Sequence, residues 1–164
     1  MEGSNIEKLR ELVSRSRVGM LGTMEESIMR FRPMSHVDID DEGNLWFFTS
    51  QDSWKADSIK SNPSVYLTYV NESDSTYLSI VGFAQLLVDR ERMKELFNPF
   101  VKAWFPKGLK DPSLALLMIH PLEVDYWVND DSKVLTYMKI LSASVMGSQP
   151  NIGEHGKLSV NKEG

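Results

Sequence analysis

Two arginines and a lysine are the side chains most suited to binding an anion. Arg30 and Arg32 are two positions apart, so in a strand their side chains share one face. Residues 49–55 place hydroxyl groups and Lys55 where a strand ends and a helix begins. Backbone N–H groups at such a point favour an anion, arginine offers phosphate a bidentate fork, and lysine offers a point charge. The spacing predicts a phosphate site.

The same spacing is equally typical of solvated strand arginines beside a capped helix, and the rest of the sequence does not decide. It contains no Walker loop, no G-x-G-x-x-G, no G-x-S-x-G and no H-E-x-x-H. His36, His120 and His155 are scattered, which gives a metal site little support. The absence of cysteine excludes disulfides and thiolate chemistry, and the net charge of −5 argues against duplex nucleic acid as a partner.

The elements that must position these residues read as short antiparallel strands with a few helices. Residues 30–39 and 45–49 should pair as a hairpin across the turn cluster 40–44. A helix is expected from a capping box at Ser4, packed as a lid on a barrel, and another is expected after the cap residue Asp89. Further strands are predicted at 18–24, 65–70, 77–88, 116–120 and 124–128, and further helices at 52–61 and from about Val134 to Val145.

This pattern predicts one mainly β (α+β) domain over residues 1–164, a closed or nearly closed barrel with helices outside. The tail after Gly147 is expected to be loose. The polar start is unlike a signal peptide, and the longest aliphatic run, residues 114–119, is too short to span a bilayer. We therefore expect a cytoplasmic protein.

Five motifs carry a family resemblance by their order and spacing. They are Arg32-Pro33-Met34-Ser35, Leu45-Trp46-Phe47-Phe48-Thr49, Ser53-x-Lys55, Asn62-Pro63-x-Val65 and Ile80-Val81-Gly82-x-Ala84. Together they resemble the flavin-binding pattern of the pyridoxamine 5'-phosphate oxidase-like FMN-binding split barrels. A second set, in residues 98–108, 111–112 and 153–156, resembles more particularly the bacterial general stress protein branch. The resemblance covers nearly the whole chain.

The resemblance implies a split β-barrel that works as a homodimer, with FMN, or alternatively FAD, held at the subunit interface. Carried over to this sequence, Arg32 and Lys55 would hold the phosphate and Ser53 would add a hydroxyl. Two further groups would surround the isoalloxazine ring. Pro33, Met34 and Ser35 would present main chain to one edge, and Phe48 and Thr49 would flank the other side.

Two aromatic residues are assigned by the same resemblance. Tyr77 falls where relatives often place a glutamine on the ring. Trp104 would either cover the flavin from the second subunit or serve as an apolar anchor at the dimer contact.

The chemistry implied is that of a flavin-dependent oxidoreductase acting on an unidentified small molecule; the alternative is a stress protein that only sequesters flavin. A barrel that binds haem, a deazaflavin or nothing is a third possibility. Pyridoxamine phosphate oxidation is disfavoured, because no arginine follows Trp127 where those enzymes use one for substrate. His36 is the one acid–base candidate, with a surface histidine on the barrel as the alternative.

Overall fold

A computed structural model describes residues 2–129, 131, 133–149 and 151–160 of the chain. Within these residues the fold is α+β, as predicted, with seven antiparallel strands and five α-helices. The elements in chain order are α1 (Glu2–Ser14), β1 (Val18–Glu25), β2 (Ile28–Ile39), β3 (Leu45–Ser50), α2 (Trp54–Ser61), β4 (Ser64–Asn71), β5 (Thr76–Leu87), α3 (Arg90–Leu96), α4 (Pro99–Trp104), β6 (Leu114–Val128), α5 (Lys133–Met146) and β7 (Glu154–Ser159).

Six of the strands close into a barrel. Their order is β3-β2-β1-β4-β5-β6, and β3 also pairs with β6, which joins the two ends of the sheet. Closure removes exposed strand edges and encloses one core, to which Leu21, Phe47, Leu67 and Ile80 contribute. Helix α1 closes one side of this core with three fully buried residues, Leu9, Leu12 and Val13, so the predicted lid is confirmed.

The barrel is split along one edge of β2. Strand β2 pairs with β1 over Ile28–Ser35, but its pairing with β3 covers only His36–Ile39 and is interrupted by a register shift between His36 and Asp38. Such an irregularity bends a strand and ends regular pairing. The first two-thirds of β2 therefore leave one backbone edge without a neighbouring strand among the described residues.

Strand β6 runs unbroken from Leu114 to Val128, so the prediction of two strands separated at Pro121 was wrong. Pro121 lies opposite the register shift between Val81 and Gly82. Proline is tolerated at such bulges because the missing N–H is not needed there. The prediction of a loose tail after Gly147 is wrong for residues 154–159. These residues form β7, which pairs with β6 from Glu123 to Val128.

The helices differ from prediction mainly at their ends. Helix α1 begins at Glu2, so Ser4 lies inside it and does not cap it. The helix predicted after Asp89 is two helices, because Asn98 caps a new one with Pro99 in its first turn. In α5 the predicted Val134 lies outside the residues whose side chains are described, while Met138, Leu141 and Val145 are exposed. None of the helices described has the length and apolar character that a membrane span requires.

Candidate functional site

Two adjoining depressions lie along the split. The first, which we call the cationic cleft, has a volume of about 650 Å³ and is lined by residues 28–32 of β2, Glu25 of β1 and residues 53–55 at the start of α2. The second, the apolar cavity, has a volume of about 370 Å³. Lys55 lines both, so the two depressions adjoin at this side chain, and we call them together the groove.

Arg32 is fixed in the cleft by two neighbours on β1. Its guanidinium donates to Thr23 Oγ1 at 2.8 Å and to Glu25 Oε1 at 2.6 Å. The β1–β2 hairpin register brings these residues together, since Arg30 pairs with Thr23 and Arg32 with Leu21. Neither Thr23 nor Glu25 was identified from the sequence, although their spacing on β1 matches that of Arg30 and Arg32 on β2. A pre-positioned guanidinium offers its remaining N–H groups to a ligand.

Lys55 is a half-buried cation for which the described residues offer no carboxylate within ion-pair distance. Burial is the main cause of a lowered pKa for this ammonium, and the nearby Arg32 guanidinium lowers the pKa further. The Lys55 ammonium is therefore partly desolvated, lies near a second cation, Arg32, and has no carboxylate partner among the described residues. Such an arrangement is unfavourable unless an anion binds to it. The site therefore has the electrostatic character of an anion receptor.

Ser53 sits at the start of α2 as its N-cap. Its hydroxyl accepts from the Ala56 backbone N–H at 3.3 Å and donates to the Ser50 carbonyl at 2.8 Å. These bonds fix the first turn of α2 beside Arg32, so the positive end of the helix dipole points toward the cleft. The predicted grouping of Arg32, Ser53 and Lys55 is thus present.

The apolar cavity holds most of the residues assigned to a ring. Pro33, Met34 and Ser35 line it from β2, and Phe48 lines it from β3. Phe48 packs against Phe97 and Phe105, with ring centroids 5.8 and 6.5 Å away, so helices α3 and α4 support this wall. The sequence missed the remaining lining residues, which are Val18, Val37, Phe100, Val101 and Phe105.

Trp104 lines the apolar cavity of its own chain, and 72% of its surface is exposed. It stands at the end of α4, whose Val101 is buried against the barrel. The family resemblance assigned this residue either to a flavin of the second subunit or to the dimer contact. Within a single chain it already forms part of the cavity wall.

Two predicted residues lie outside the groove within one chain. Thr49 alternates with Phe48 along β3, so Phe48 faces the cavity while the Thr49 side chain is buried on the opposite face. Its Oγ1 has no hydrogen-bond partner among the described residues. Tyr77 lies on the outer face of β5 and lines a different depression, together with Trp127 and His155. If Tyr77 contacts a cofactor, that cofactor must be bound by another copy of the chain.

His36 is half-buried against the barrel core, so it is not the surface histidine of the alternative, and it does not line the apolar cavity. It is hydrogen-bonded through Nδ1 to the Tyr69 hydroxyl at 3.1 Å, and its ring packs edge-on against Phe47 and Tyr69. Burial lowers the pKa of His36 below its ordinary value of 6.5, while Asp38 opposes the shift. His36 is thus a half-buried histidine whose ring contacts core residues.

The burial of His36 leads us to expect that the folded protein becomes less stable in acid. Its folded-state pKa is depressed, so the unfolded chain binds an extra proton as pH falls below 6.5. We expect the free energy of unfolding to decrease there, with this histidine contributing at most about 1.4 kcal/mol per pH unit. Urea unfolding of wild type and His36→Gln across pH 5 to 8 checks this. A wild-type slope no steeper than that of the variant contradicts the assignment.

Comparisons with known proteins agree with this fold. A profile of the family described as pyridoxamine 5'-phosphate oxidase like matches residues 4–151. The protein bli-3 of Neurospora crassa is 22% identical over 124 residues, which span 71% of this chain and 59% of that protein. A crystal structure assigned to a general stress protein 26 from Jannaschia sp. CCS1 superposes with a TM-score of 0.73 at 25% identity, covering 93% of this chain and 98% of that one.

A further solved structure is the general stress FMN/FAD binding protein of Xanthomonas citri. It is 29% identical and superposes with a TM-score of 0.67, covering 78% of this chain and 90% of that one. The fold and the groove thus define a barrel of the general stress protein type. The chain belongs to the pyridoxamine 5'-phosphate oxidase-like family.

Proposed function

We propose that this chain is a cytoplasmic, homodimeric flavin-binding protein that acts as a flavin-dependent oxidoreductase on a small molecule during a general stress response. The observation that carries the proposal is the position of Lys55. This uncompensated cation stands where the cationic cleft meets the apolar cavity. A ligand that joins a phosphate to a planar apolar ring matches both halves. The name of the Xanthomonas citri relative, an FMN/FAD binding protein, supports the same ligand class.

The groove fits a flavin in charge, size and hydrogen bonding. Arg32, Lys55 and the N-terminus of α2 would hold the phosphate. A cavity of about 370 Å³ is within the usual range for small-molecule sites. The unpaired edge of β2 at Pro33–Ser35 offers backbone groups to the polar edge of the ring, because no strand covers it in the described structure.

When bound, the flavin supplies the electron-transfer chemistry. The protein's own residues hold and shield it. Arg32 and Lys55 fix the phosphate end, Phe48 presents an aromatic wall backed by two further phenylalanines, and Trp104 limits access of water to the cavity.

A homodimer is supported by an apolar face on the outside of the barrel. Val70, Tyr77, Trp127 and His155 are successive cross-strand neighbours on β4, β5, β6 and β7. The Trp127 and His155 rings stack at 4.8 Å with an interplanar angle of 3°. Val18, which lines the apolar cavity, is also exposed, and so are Val70, Tyr77 and Trp127. Exposed apolar patches of this kind mark protein contacts, and a second copy here would place Tyr77 near a neighbouring flavin.

A non-catalytic, flavin-sequestering role is the alternative. It is favoured by the lining of the apolar cavity, where Lys55 is the only titratable side chain among the described residues. Steady-state oxidation of NADH or NADPH by flavin-loaded protein separates the two roles. Turnover supports the oxidoreductase, whereas a flavin that no nicotinamide donor reduces supports sequestration.

The visible spectrum of the purified protein, with chromatography of any released cofactor, tests flavin binding itself. We expect flavin absorbance, or its appearance after FMN or FAD is added and free ligand removed. Colourless protein that retains neither ligand overturns the proposal.

A further inference from the structure

The cationic cleft continues beyond the residues assigned to the flavin phosphate. Along β2 it extends from Arg32 to Ile28, away from the apolar cavity, and on the α2 side it includes Trp54. Its volume of about 650 Å³ exceeds what one phosphate group occupies. The rest of the cleft is lined by aromatic and cationic residues.

Trp54 is the first residue of α2, between Ser53 and Lys55, and 79% of its surface is exposed. Ser53 caps this turn, so the indole is anchored at its backbone and free at its ring. An exposed tryptophan on the wall of a cleft is costly to leave in water, and aromatic faces of this kind bind the faces of nucleobases.

The Phe31 ring does not share this wall. It lies over Gly22 on β1, where a Cβ would be 2.6 Å from the ring. Arg32 bonds to Thr23, the next residue on β1, whose side chain points to the opposite face from Gly22. Among the residues that line the cleft, Trp54 is therefore the aromatic side chain available to a base at its outer end.

Arg30 adds a further cation to the cleft beyond Arg32. It is exposed and bonded to Glu25 at 2.7 Å, and it shares that carboxylate with Arg32. Three cations and one carboxylate line the cleft, so it stays net positive. Arg30 lies two residues further from the apolar cavity than Arg32, on the same face of β2, where a second phosphate would continue the first.

We infer that the outer end of the cationic cleft is an adenylate subsite, with Trp54 receiving the adenine and Arg30 the second phosphate, so that the chain binds FAD in preference to FMN. The inference rests on the proposed flavin site. It assigns a function to two residues that FMN would leave unused.

The test is the ratio of FMN to FAD dissociation constants, measured by calorimetry on the full chain for wild type and for Trp54→Ala. Base stacking on one aromatic residue corresponds to roughly 5- to 100-fold in affinity. We expect wild type to bind FAD tighter than FMN, and Trp54→Ala to weaken FAD by that factor while leaving FMN unchanged. Arg30→Gln should also weaken FAD more than FMN.

Trp104→Ala is the matched control, because it removes another exposed tryptophan but from the apolar cavity. It should weaken FMN and FAD equally and leave their ratio intact. Equal wild-type affinity for both flavins, or equal losses of both in Trp54→Ala, overturns the subsite while leaving the flavin site standing. If neither flavin binds wild type, both the inference and the proposed function fail.

Discussion

Lys55→Ala is expected to weaken FMN binding by roughly 10- to 100-fold while leaving riboflavin binding nearly unchanged. The lysine is half-buried beside Arg32, and no carboxylate within ion-pair distance among the described residues neutralises it. Its charge is therefore available to a phosphate that FMN carries and riboflavin lacks. Flavin fluorescence titrations with the two ligands measure the difference directly.

Lys60→Ala provides the control on the same helix. Lys60 is exposed, pairs with Asp57 at 3.8 Å and does not line the cleft, so both flavins should bind this variant as they bind wild type. Arg32→Ala should behave like Lys55→Ala, with an added loss of order in Glu25, which Arg32 holds at 2.6 Å. Equal losses of FMN and riboflavin in Lys55→Ala would contradict the phosphate assignment.

The grouping of Arg32, Ser53 and Lys55 in the cationic cleft could be predicted from the sequence because each residue lies in a short motif. Arg32, Ser53 and Lys55 each sit where a strand pattern or a helix start can be recognised locally. Their supports could not be predicted in the same way. Thr23 and Glu25 reach Arg32 only through the register of the β1–β2 hairpin, which depends on the turn between those strands.

The alternation of side chains along β3 explains why only one of two neighbouring predicted residues lines the cavity. Phe48 and Thr49 were assigned to the ring together, yet adjacent strand residues point to opposite faces. The structure accordingly places Phe48 against the cavity and buries Thr49, whose hydroxyl has no partner in the part of the chain that the structure describes. The alternation of side chains along β3 could be predicted from the sequence. The face that belongs to the barrel core could not, because helices α3 and α4 also cover the outer face of β3 at Phe48.

Long-range strand pairing explains why part of the C-terminal tail, predicted to be loose, forms a strand. Residues 154–159 contain two glycine or lysine positions that favour no strand by themselves. They become β7 because β6 continues to Val128 and offers them an edge, with Leu158 buried against the core. The local sequence of such a strand does not predict it, because the strand forms only where a neighbouring strand is available to pair with it.

The second large expected effect concerns the exposed barrel face. Val70→Asp should convert the proposed dimer to a monomer, raising its dissociation constant by roughly two to three orders of magnitude. An uncompensated carboxylate buried at an interface costs about 3–5 kcal/mol. In a free monomer the change should cost little, since 59% of the Val70 surface is exposed. Sedimentation at several protein concentrations measures the change.

The same variant tests whether the flavin site needs the second subunit. Val70 lines neither the cationic cleft nor the apolar cavity, so it has no direct route to a flavin bound within its own chain. Loss of flavin affinity together with the dimer would place the partner's surface at the cavity. Val88→Asp is the control, because Val88 is 51% exposed but lies at the end of β5, away from this face. A monomeric Val70→Asp that binds flavin like wild type would show that one chain forms the whole site.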